Sequence, residues 1–169
     1  MIVAQTERLN LRHMTLDDAP FYLEMLNDPD FVRFIGDRGV RSLEAARAAI
    51  HDRVISRYEV DGFNMFLVEA REHNNAVGMA GLIKRDFLPL VDVGYSFLPE
   101  ARGQGFATEA ASACVTLARN SFGCSQLAAI TNPDNAASER VLYKLGFRLA
   151  GTVSIPDDGS TCHYFLLDA

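Results

Sequence analysis

The chain has 169 residues, of which 49% are hydrophobic and 22% charged, and its formal net charge at pH 7 is −6. The length fits one domain, residues 1–169, and the composition excludes a disordered chain and a membrane-spanning protein. The acidic balance disfavours nucleic acid as a partner. Three cysteines without metal-ligand spacing predict free thiols and no metal, and the first residues show no export signal, so the sequence predicts a cytoplasmic protein.

The first third of the chain predicts one strand and two helices. Residues 8–12 alternate between polar and apolar side chains, which is typical of a strand. Residues 15–26 predict a helix, because Thr15 and an acidic residue three positions later form a capping box before an apolar stripe. The segment Asn27-Asp28-Pro29 ends this helix. A second helical region runs from Ser42 to about residue 58.

The middle of the chain changes to the two-residue period of strands. Apolar runs at 63–70 and 76–84 flank the turn segment 72–75, which predicts a hairpin. Residues 91–97 form the next strand, so three consecutive strands predict an antiparallel meander. The remaining predicted elements are a helix at 107–122, a strand at 127–131, a helix at 136–145 and a strand pair at 147–154 and 162–167. The order βααβββαβαββ predicts an α+β or α/β fold with a mixed sheet.

The segment PEARGQGFATEA, residues 99–110, places two glycines at the start of a predicted helix. Glycines admit a ligand close to the backbone, and the first helical turn offers unpaired N–H groups, so the segment predicts an anion site. A triphosphate loop is excluded because GxxxxGK[ST] has no match. A dinucleotide loop is excluded because Thr108 occupies the last small position of GxGxxG. The pyrophosphate of another cofactor remains, with an ordinary loop as the alternative.

Three segments resemble one known family. Arg102-Gly103-Gln104-Gly105-Phe106-Ala107 is similar to the acyl-CoA loop Q/R-x-x-G-x-G/A of the GNAT N-acetyltransferase superfamily. The segment NAASERVLYKLGF, residues 135–147, resembles the second signature of that superfamily. TERLNLR, residues 6–12, followed by Asp17-Asp18-Ala19, resembles the RimJ/RimL subgroup, which acetylates the N-termini of ribosomal proteins.

The resemblance implies acetyl-CoA as cosubstrate and a GNAT fold, whose central sheet is mixed, mostly antiparallel and flanked by helices. It implies that backbone N–H groups hold the pyrophosphate, from Arg102, Gly103, Gln104, Gly105, Phe106, Ala107 and Thr108. The side chain of Arg102 is either a further phosphate ligand or a solvated cation. The pantetheine arm is expected to pair with the end of the fourth strand, at Tyr95, Phe97 and Leu98. Asn135 and Ser138 are expected to reach the cofactor from the following loop and helix, although Asn135 also fits an N-cap.

Direct attack of an amine on the thioester requires a neutral amine, a stabilised oxyanion and a proton for the leaving thiolate. Asp92 stands where related enzymes carry a carboxylate base, with a solvent-facing strand position as its alternative. Some relatives place a tyrosine seven residues after the asparagine, but here Leu142 stands there and Tyr143 follows. One position rotates a side chain by about 100° around a helix, so we expect Ser138 ahead of Tyr143 as the donor to the thiolate.

The acceptor pocket is expected to lie between the first helices and the last strands. Its candidate residues are Phe31, Arg33, Phe34, Tyr95 and His163, although the phenylalanines also fit the core and His163 also fits a packing role. The subgroup resemblance favours a protein N-terminal α-amine as acceptor. A small-molecule amine, such as a polyamine, an aminoglycoside or an amino-acid-like metabolite, and a non-catalytic acyl-CoA-binding module stay open, as do a monomer and a homodimer.

Overall fold

A computed structural model describes residues 1–168. Its eight strands are β1 Ile2–Gln5, β2 Leu9–Arg12, β3 Met65–Ala70, β4 Asn75–Ile83, β5 Asp92–Phe97, β6 Gln126–Thr131, β7 Arg148–Ser154 and β8 Thr161–Asp168. They form one sheet in the order β1-β2-β3-β4-β5-β6-β8-β7. The neighbouring strands are antiparallel except β5 and β6, which are parallel. The predicted mixed, mostly antiparallel sheet is therefore confirmed.

The described residues contain six α-helices. They are α1 Ala19–Leu26, α2 Pro29–Phe34, α3 Leu43–Ile50, α4 Ser56–Asp61, α5 Phe106–Phe122 and α6 Ala136–Lys144. A π-helical segment, His51–Ile55, joins α3 to α4, so the predicted helical region after Ser42 is continuous and reaches Asp61. None of the helices in residues 1–168 is both long and apolar enough to cross a membrane.

The sheet separates two hydrophobic clusters. Helices α1 and α3 cover one face, where Leu67 and Met79 pack against them. Helices α5 and α6 cover the other face, where Phe66, Phe165 and Leu142 are at most 1% exposed. Phe66 and Leu67 point to opposite faces because successive side chains of a strand alternate. Burial of each large apolar side chain contributes roughly 1.5–3 kcal/mol, so both helical layers are fixed to the sheet.

Strands β5 and β6 separate shortly after they meet. They share the register pair Asp92–Ala128 and a hydrogen bond of 2.9 Å from Ala128 N to Val91 O. The ladders on either side, β4–β5 and β6–β8, continue along the whole strands. The edge of residues 93–97 that faces away from β4 therefore borders a gap in the sheet rather than a neighbouring strand.

Two elements go beyond the sequence prediction. Ile2–Gln5 forms an additional edge strand against β2, so the predicted fourth strand is β5. The segment 27–29 ends α1 as expected, but a further helix, α2, begins directly at Pro29. It begins there because the Asp28 carboxylate accepts a hydrogen bond of 3.2 Å from Phe31 N, and proline suits the first helical position.

Glu109 joins the β1–β2 turn to the start of α5. Its carboxylate accepts hydrogen bonds from Thr6 Oγ1 at 2.5 Å, Arg8 N at 2.9 Å and Arg8 Nε at 2.8 Å. Arg8 also donates to Gln104 O at 2.8 Å and lies over the Phe106 ring. Burial alone would raise the pKa of Glu109, but the hydrogen bonds and the charge of Arg8 outweigh it and lower the pKa.

We predict that Glu109→Gln lowers the free energy of unfolding at pH 7 by about 1–3 kcal/mol, because the turn loses a charged acceptor. The folded pKa lies below the ordinary value of 4.5, so this stabilisation is present above pH 4.5 and is lost as the pH falls through the folded pKa. Urea unfolding of the wild-type protein and of Glu109→Gln across pH 3–7 measures this difference in unfolding free energy. The exposed Glu24→Gln on α1 is the matched control, and a difference that persists at pH 3 would contradict the assignment.

Gly81 lies against the backbone that precedes β3. A Cβ atom at Gly81 would lie 2.2 Å from Asn64 O and 2.6 Å from Met65 Cα, whereas one at its cross-strand partner, Gly94, would lie 3.4 Å from the flexible end of Ile83. The strand therefore approaches this backbone more closely than any side chain allows.

Gly81→Ala is accordingly expected to destabilise the protein by about 1–3 kcal/mol, the usual range for overpacking. Gly94→Ala is the matched control and is expected to change the unfolding free energy by well under half of that amount. Thermal and chemical unfolding measure both. Equal stability of the two variants would show that the close approach at Gly81 is absent.

Candidate active site

A cleft of about 440 Å³ opens where β5 and β6 separate. It brings together most of the residues that the sequence predicted for the cofactor, namely Tyr95, Phe97, Arg102, Gly103, Gly105, Phe106, Ala107, Thr108, Asn135 and Ser138. Phe31 and Phe34 of α2 close its other side. Residues from three separate parts of the sequence, 30–35, 95–108 and 135–144, thus meet at one gap in the sheet.

The amino-terminal end of α5 borders one end of the cleft. Gly103 and Gly105 have φ values of +75° and +82°, which favour glycine, and the loop turns through them into the helix. The N-cap, Gly105, supplies no side-chain cap to the first turn. The first N–H groups of this 17-residue helix therefore keep their donors and the positive end of the helix dipole for a ligand.

The side chain of Arg102 is engaged with the protein itself. Its guanidinium donates to Phe97 O at 3.0 Å and pairs with Asp28 and Asp30 at 2.6 Å each. It therefore links the glycine loop to α2 and does not stand as a solvated cation, while a role as phosphate ligand stays a prediction. The backbone N–H groups at the start of α5 also offer donors for an anion.

The cleft is also lined by two cations that the sequence did not predict as site residues. Arg140 and Lys144 lie one turn apart on α6 and both border the cavity. Arg8 adds a third cation at the loop, because its Nη2 atom lies 3.3 Å from the position that a Cβ at Gly105 would take. Arg140 and Lys144 lie inside the segment 135–147, and their four-residue spacing on one helix was the available signal. A pyrophosphate-bearing cofactor fits this set of backbone donors and cations.

Tyr95 and Ser138 form a hydrogen-bonded pair on the cleft wall. Tyr95 Oη donates to Ser138 O at 2.8 Å and accepts from Ser138 Oγ at 3.1 Å. Asn135 caps α6, since its side chain accepts from Ser138 N at 3.2 Å. Burial raises the pKa of Tyr95 to about 12, so the phenol keeps its proton at neutral pH. The wall thus presents two hydroxyl groups side by side between β5 and α6.

Several predicted site residues do not line the cleft. Tyr143 is 52% exposed and meets Phe165 edge to face, as the one-position shift suggested. Gln104 is exposed and binds Glu100 O through its side chain. Leu98 is buried, and its N–H donates to Val77 O at 3.0 Å, so this group is not free to pair with a cofactor arm. Arg33 is exposed and stacks over Phe34.

His163 also lies away from the cleft wall. Its Nδ1 atom is 2.5 Å from Glu139 Oε1, and Thr131 Oγ1 donates to the same oxygen at 3.0 Å. The histidine therefore packs on β8 beneath α6, where Glu139 holds its ring. This arrangement fits the packing alternative better than a role in the acceptor pocket.

Asp92 is buried where β5 and β6 separate. It is 1% exposed, its Oδ2 accepts from Arg85 Nε at 2.8 Å, and its Oδ1 has no hydrogen-bond partner in the structure. Burial raises the pKa of Asp92, and the Arg85 charge opposes part of that increase. The alternative of a solvent-facing strand residue is therefore wrong. Among residues 1–168, no group of three or more His, Cys, Asp or Glu side chains is arranged to hold a metal ion.

The chain is similar to known acetyltransferases over most of its length. The profile of the family described as "Acetyltransferase (GNAT) domain" matches residues 8–148. Uncharacterized N-acetyltransferase YoaA from Bacillus subtilis (strain 168) is 29% identical over 154 residues, which cover 89% of this chain and 85% of YoaA.

Solved structures share the fold. RimL, a ribosomal L7/L12 alpha-N-protein acetyltransferase in complex with coenzyme A, has a TM-score of 0.85 at 18% identity and covers 99% of this chain and 98% of its own. Aminoglycoside acetyltransferase AAC(6')-Ib in complex with coenzyme A has a TM-score of 0.77 at 20% identity. The match covers 95% of this chain and 94% of the aminoglycoside acetyltransferase. Since the family profile spans most of the sequence, the chain belongs to the GNAT acetyltransferase family and is an acetyl-CoA-dependent N-acetyltransferase.

Proposed function

We propose that the acceptor of the acetyl group is the α-amine of a protein or peptide N-terminus and that the chain is of the RimJ/RimL type. The observation that carries the proposal is the lack of a free base in the cleft. Asp30, the one carboxylate on the cleft wall of the described chain, is paired with Arg102. An α-amine with a pKa of about 7.7–8.0 is roughly one-tenth neutral at pH 7, whereas a lysine amine is almost wholly protonated. An α-amine therefore needs little deprotonation by the enzyme.

The cleft divides the binding of acetyl-CoA between backbone and side chains. We assign the pyrophosphate to the N–H groups of residues 103–108, with Arg140 and Lys144 as the cations nearest the phosphates. Tyr95 and Phe97 border the gap in the sheet and flank the acyl arm. The bound thioester supplies the activated acetyl group. The groups of the chain then orient the reactants and exclude water.

Tyr95 and Ser138 are assigned to the departing thiolate. The pKa of Tyr95, about 12, lies well above that of an ordinary thiol, about 8.5. Full transfer of the phenolic proton to the thiolate is therefore unfavourable, and the pair acts by donating hydrogen bonds while solvent supplies the proton. Ser138 is the better candidate for this donor, because its hydroxyl can rotate its one proton from Tyr95 Oη to the sulfur, whereas the proton of Tyr95 is engaged with Ser138 O.

Incubation of the purified protein with acetyl-CoA and two acceptor pools tests the proposal. One pool holds short peptides with free α-amines, and the other holds polyamines, aminoglycosides and amino acids. We expect thiol release with the peptides and acetylation of the α-nitrogen, located by mass spectrometry. Release with the small amines alone would replace the proposed acceptor by a small molecule. CoA binding without release from either pool would favour a non-catalytic acyl-CoA-binding module.

Substitutions of the hydroxyl pair test the assigned donors. We expect Ser138→Ala and Tyr95→Phe to lower kcat by about 10- to 100-fold each, because a hydrogen bond to a charged group contributes roughly 1.5–3 kcal/mol. The KM for acetyl-CoA should change little, because the bond strengthens only as charge develops on sulfur. Tyr143→Phe is the matched control and is expected to retain full activity. A loss of activity in Tyr143→Phe that exceeds the loss in Ser138→Ala would reverse the assignment.

A further inference from the structure

Tyr95 and Thr131 occupy equivalent positions on the two sides of the gap between β5 and β6. Each lies three residues after the register pair Asp92–Ala128, and the two strands are parallel, so the two residues stand at the same level of the sheet. Within residues 1–168 the structure shows no further register pair between these strands. Groups outside the sheet ladder therefore determine how β5 and β6 are held relative to each other at this level.

The first turn of α6 is bonded to both sides of the gap. On the β5 side, Tyr95 Oη donates to Ser138 O at 2.8 Å and accepts from Ser138 Oγ at 3.1 Å. On the other side, Thr131 Oγ1 of β6 donates to Glu139 Oε1 at 3.0 Å, and His163 Nδ1 of β8 lies 2.5 Å from the same oxygen. Ser138 and Glu139 are consecutive residues of α6. One helical turn therefore connects three strands across the gap.

Glu139 is held tightly on its side of the gap. Its side chain is 17% exposed, and Thr131 is 5% exposed. Because a carboxylate only accepts hydrogen bonds, the Nδ1 atom of His163 carries the proton that it shares with Glu139. A carboxylate that has lost most of its water is costly unless hydrogen bonds replace that water. The two bonds to Glu139 therefore restrict where the first turn of α6 can lie.

The negative charge of Glu139 does not favour the proposed reaction. Burial is the main cause that raises the pKa of Tyr95 to about 12, and the charge of Glu139 adds to this increase. The same charge would disfavour a thiolate nearby, because like charges repel. The property of Glu139 that can serve the site is therefore its acceptor oxygen, which keeps α6 at a fixed distance from β6 and β8.

We infer that Glu139 is a positioning residue for the acetyl transfer: by holding α6 to β6 and β8, it places the Tyr95–Ser138 pair at the departing sulfur. This inference rests on the proposed role of that pair as hydrogen-bond donors to the thiolate. Glu139 does not line the cleft, whereas Ser138 and Tyr95 do. Its effect on the rate must therefore pass through these two residues. His163 is then an anchor of α6.

Two substitutions of Glu139 separate position from charge. Glu139→Ala and Glu139→Gln both remove the charge, but only glutamine keeps an oxygen that accepts from Thr131 and His163. We expect Glu139→Ala to lower kcat by at least about 5-fold and to change the KM for acetyl-CoA by less than about 3-fold, because small displacements of reacting groups slow the chemical step. Glu139→Gln should keep kcat within about 2-fold of the wild-type value. Equal kcat in the two variants, whether high or low, would overturn the inference.

Glu69→Ala is the matched control for stability. Glu69 of β3 pairs with Arg12 at 2.7 Å, and its side chain is 20% exposed, close to the 17% of Glu139. It does not line the cleft. We expect Glu69→Ala to lower Tm about as much as Glu139→Ala does, with an unchanged kcat. A loss of kcat in Glu69→Ala as large as that in Glu139→Ala would show that the rate follows stability, and would contradict a positioning role.

A mutant cycle tests whether Glu139 acts through the hydroxyl pair. In the variant Tyr95→Phe/Ser138→Ala both hydroxyls are absent, so Glu139 has nothing left to position. Adding Glu139→Ala to this variant should lower the residual kcat by less than about 2-fold, because residues that act as a unit are not additive. A loss as large as that in the wild-type background would show an independent effect of Glu139 and would overturn the inference.

The ionisation of bound CoA separates failure of this inference from failure of the proposed function. The thiol is titrated through the ultraviolet absorbance of the thiolate, and the acetyl-CoA complex, which has no free thiol, is the blank. We expect the acid dissociation constant of the thiol to be at least about 3-fold larger on Glu139→Gln than on Glu139→Ala, because donated hydrogen bonds favour the thiolate. This difference without turnover of any amine would retain the positioning role and reject the proposed acceptor. Equal dissociation constants on the two variants would overturn the inference.

Discussion

The separation of β5 from β6 determines where this protein can bind a ligand. Every other neighbouring pair in the sheet is an antiparallel ladder of at least three register pairs, whereas this parallel pair shares only Asp92–Ala128 and then diverges. A strand edge without a partner strand leaves backbone groups that need partners, and buried backbone groups left unpaired are costly. The acyl arm of the cofactor, in the place proposed for it along residues 93–97, would supply such partners. The connection from β5 to β6 also runs through α5, so the amino-terminal end of that helix lies at the mouth of the same gap.

Side-chain interactions fix the walls of this gap. Glu109 holds the start of α5 through Thr6 and Arg8, and Arg102 connects the glycine loop to α2 through Asp28 and Asp30. On the opposite wall, Tyr95 holds the first turn of α6 through Ser138. The N–H groups and hydroxyls that we propose as ligands of the phosphates and the thiol are thus held in place by the protein itself. Such preorganised donors need little rearrangement during the reaction.

The sequence predicted the architecture because the signals for it are local. The two-residue period of the strands, the glycine loop and the segment 135–147 each act within about a dozen residues, and together they indicated the fold and most of the cleft wall. The additional helix α2 was missed because the same Asp28-Pro29 pair that ends one helix also starts another. The partners of Arg102 and Asp92 were missed because ion pairs join residues that are not neighbours in sequence. Arg102 and Asp28 are 74 positions apart.

Charge gives the clearest contrast between sequence and structure. Summed over the chain, the acidic excess suggested cationic ligands, yet cations predominate at the proposed phosphate-binding end of the cleft. Arg140 and Lys144 both line this cavity. Net charge describes the field far from the protein, while binding depends on the field within a Debye length, about 8 Å at physiological ionic strength. Only the folded chain shows which charges share a site.

A crystal structure of the protein with bound coenzyme A would show directly whether the cofactor lies in the gap between β5 and β6. We expect the pyrophosphate against the N–H groups of residues 103–108, the acyl arm along the open edge of β5, and the sulfur within hydrogen-bond distance of Ser138 Oγ or Tyr95 Oη. Coenzyme A bound outside the gap between β5 and β6, or with its sulfur beside Tyr143 and away from the Tyr95–Ser138 pair, would contradict it.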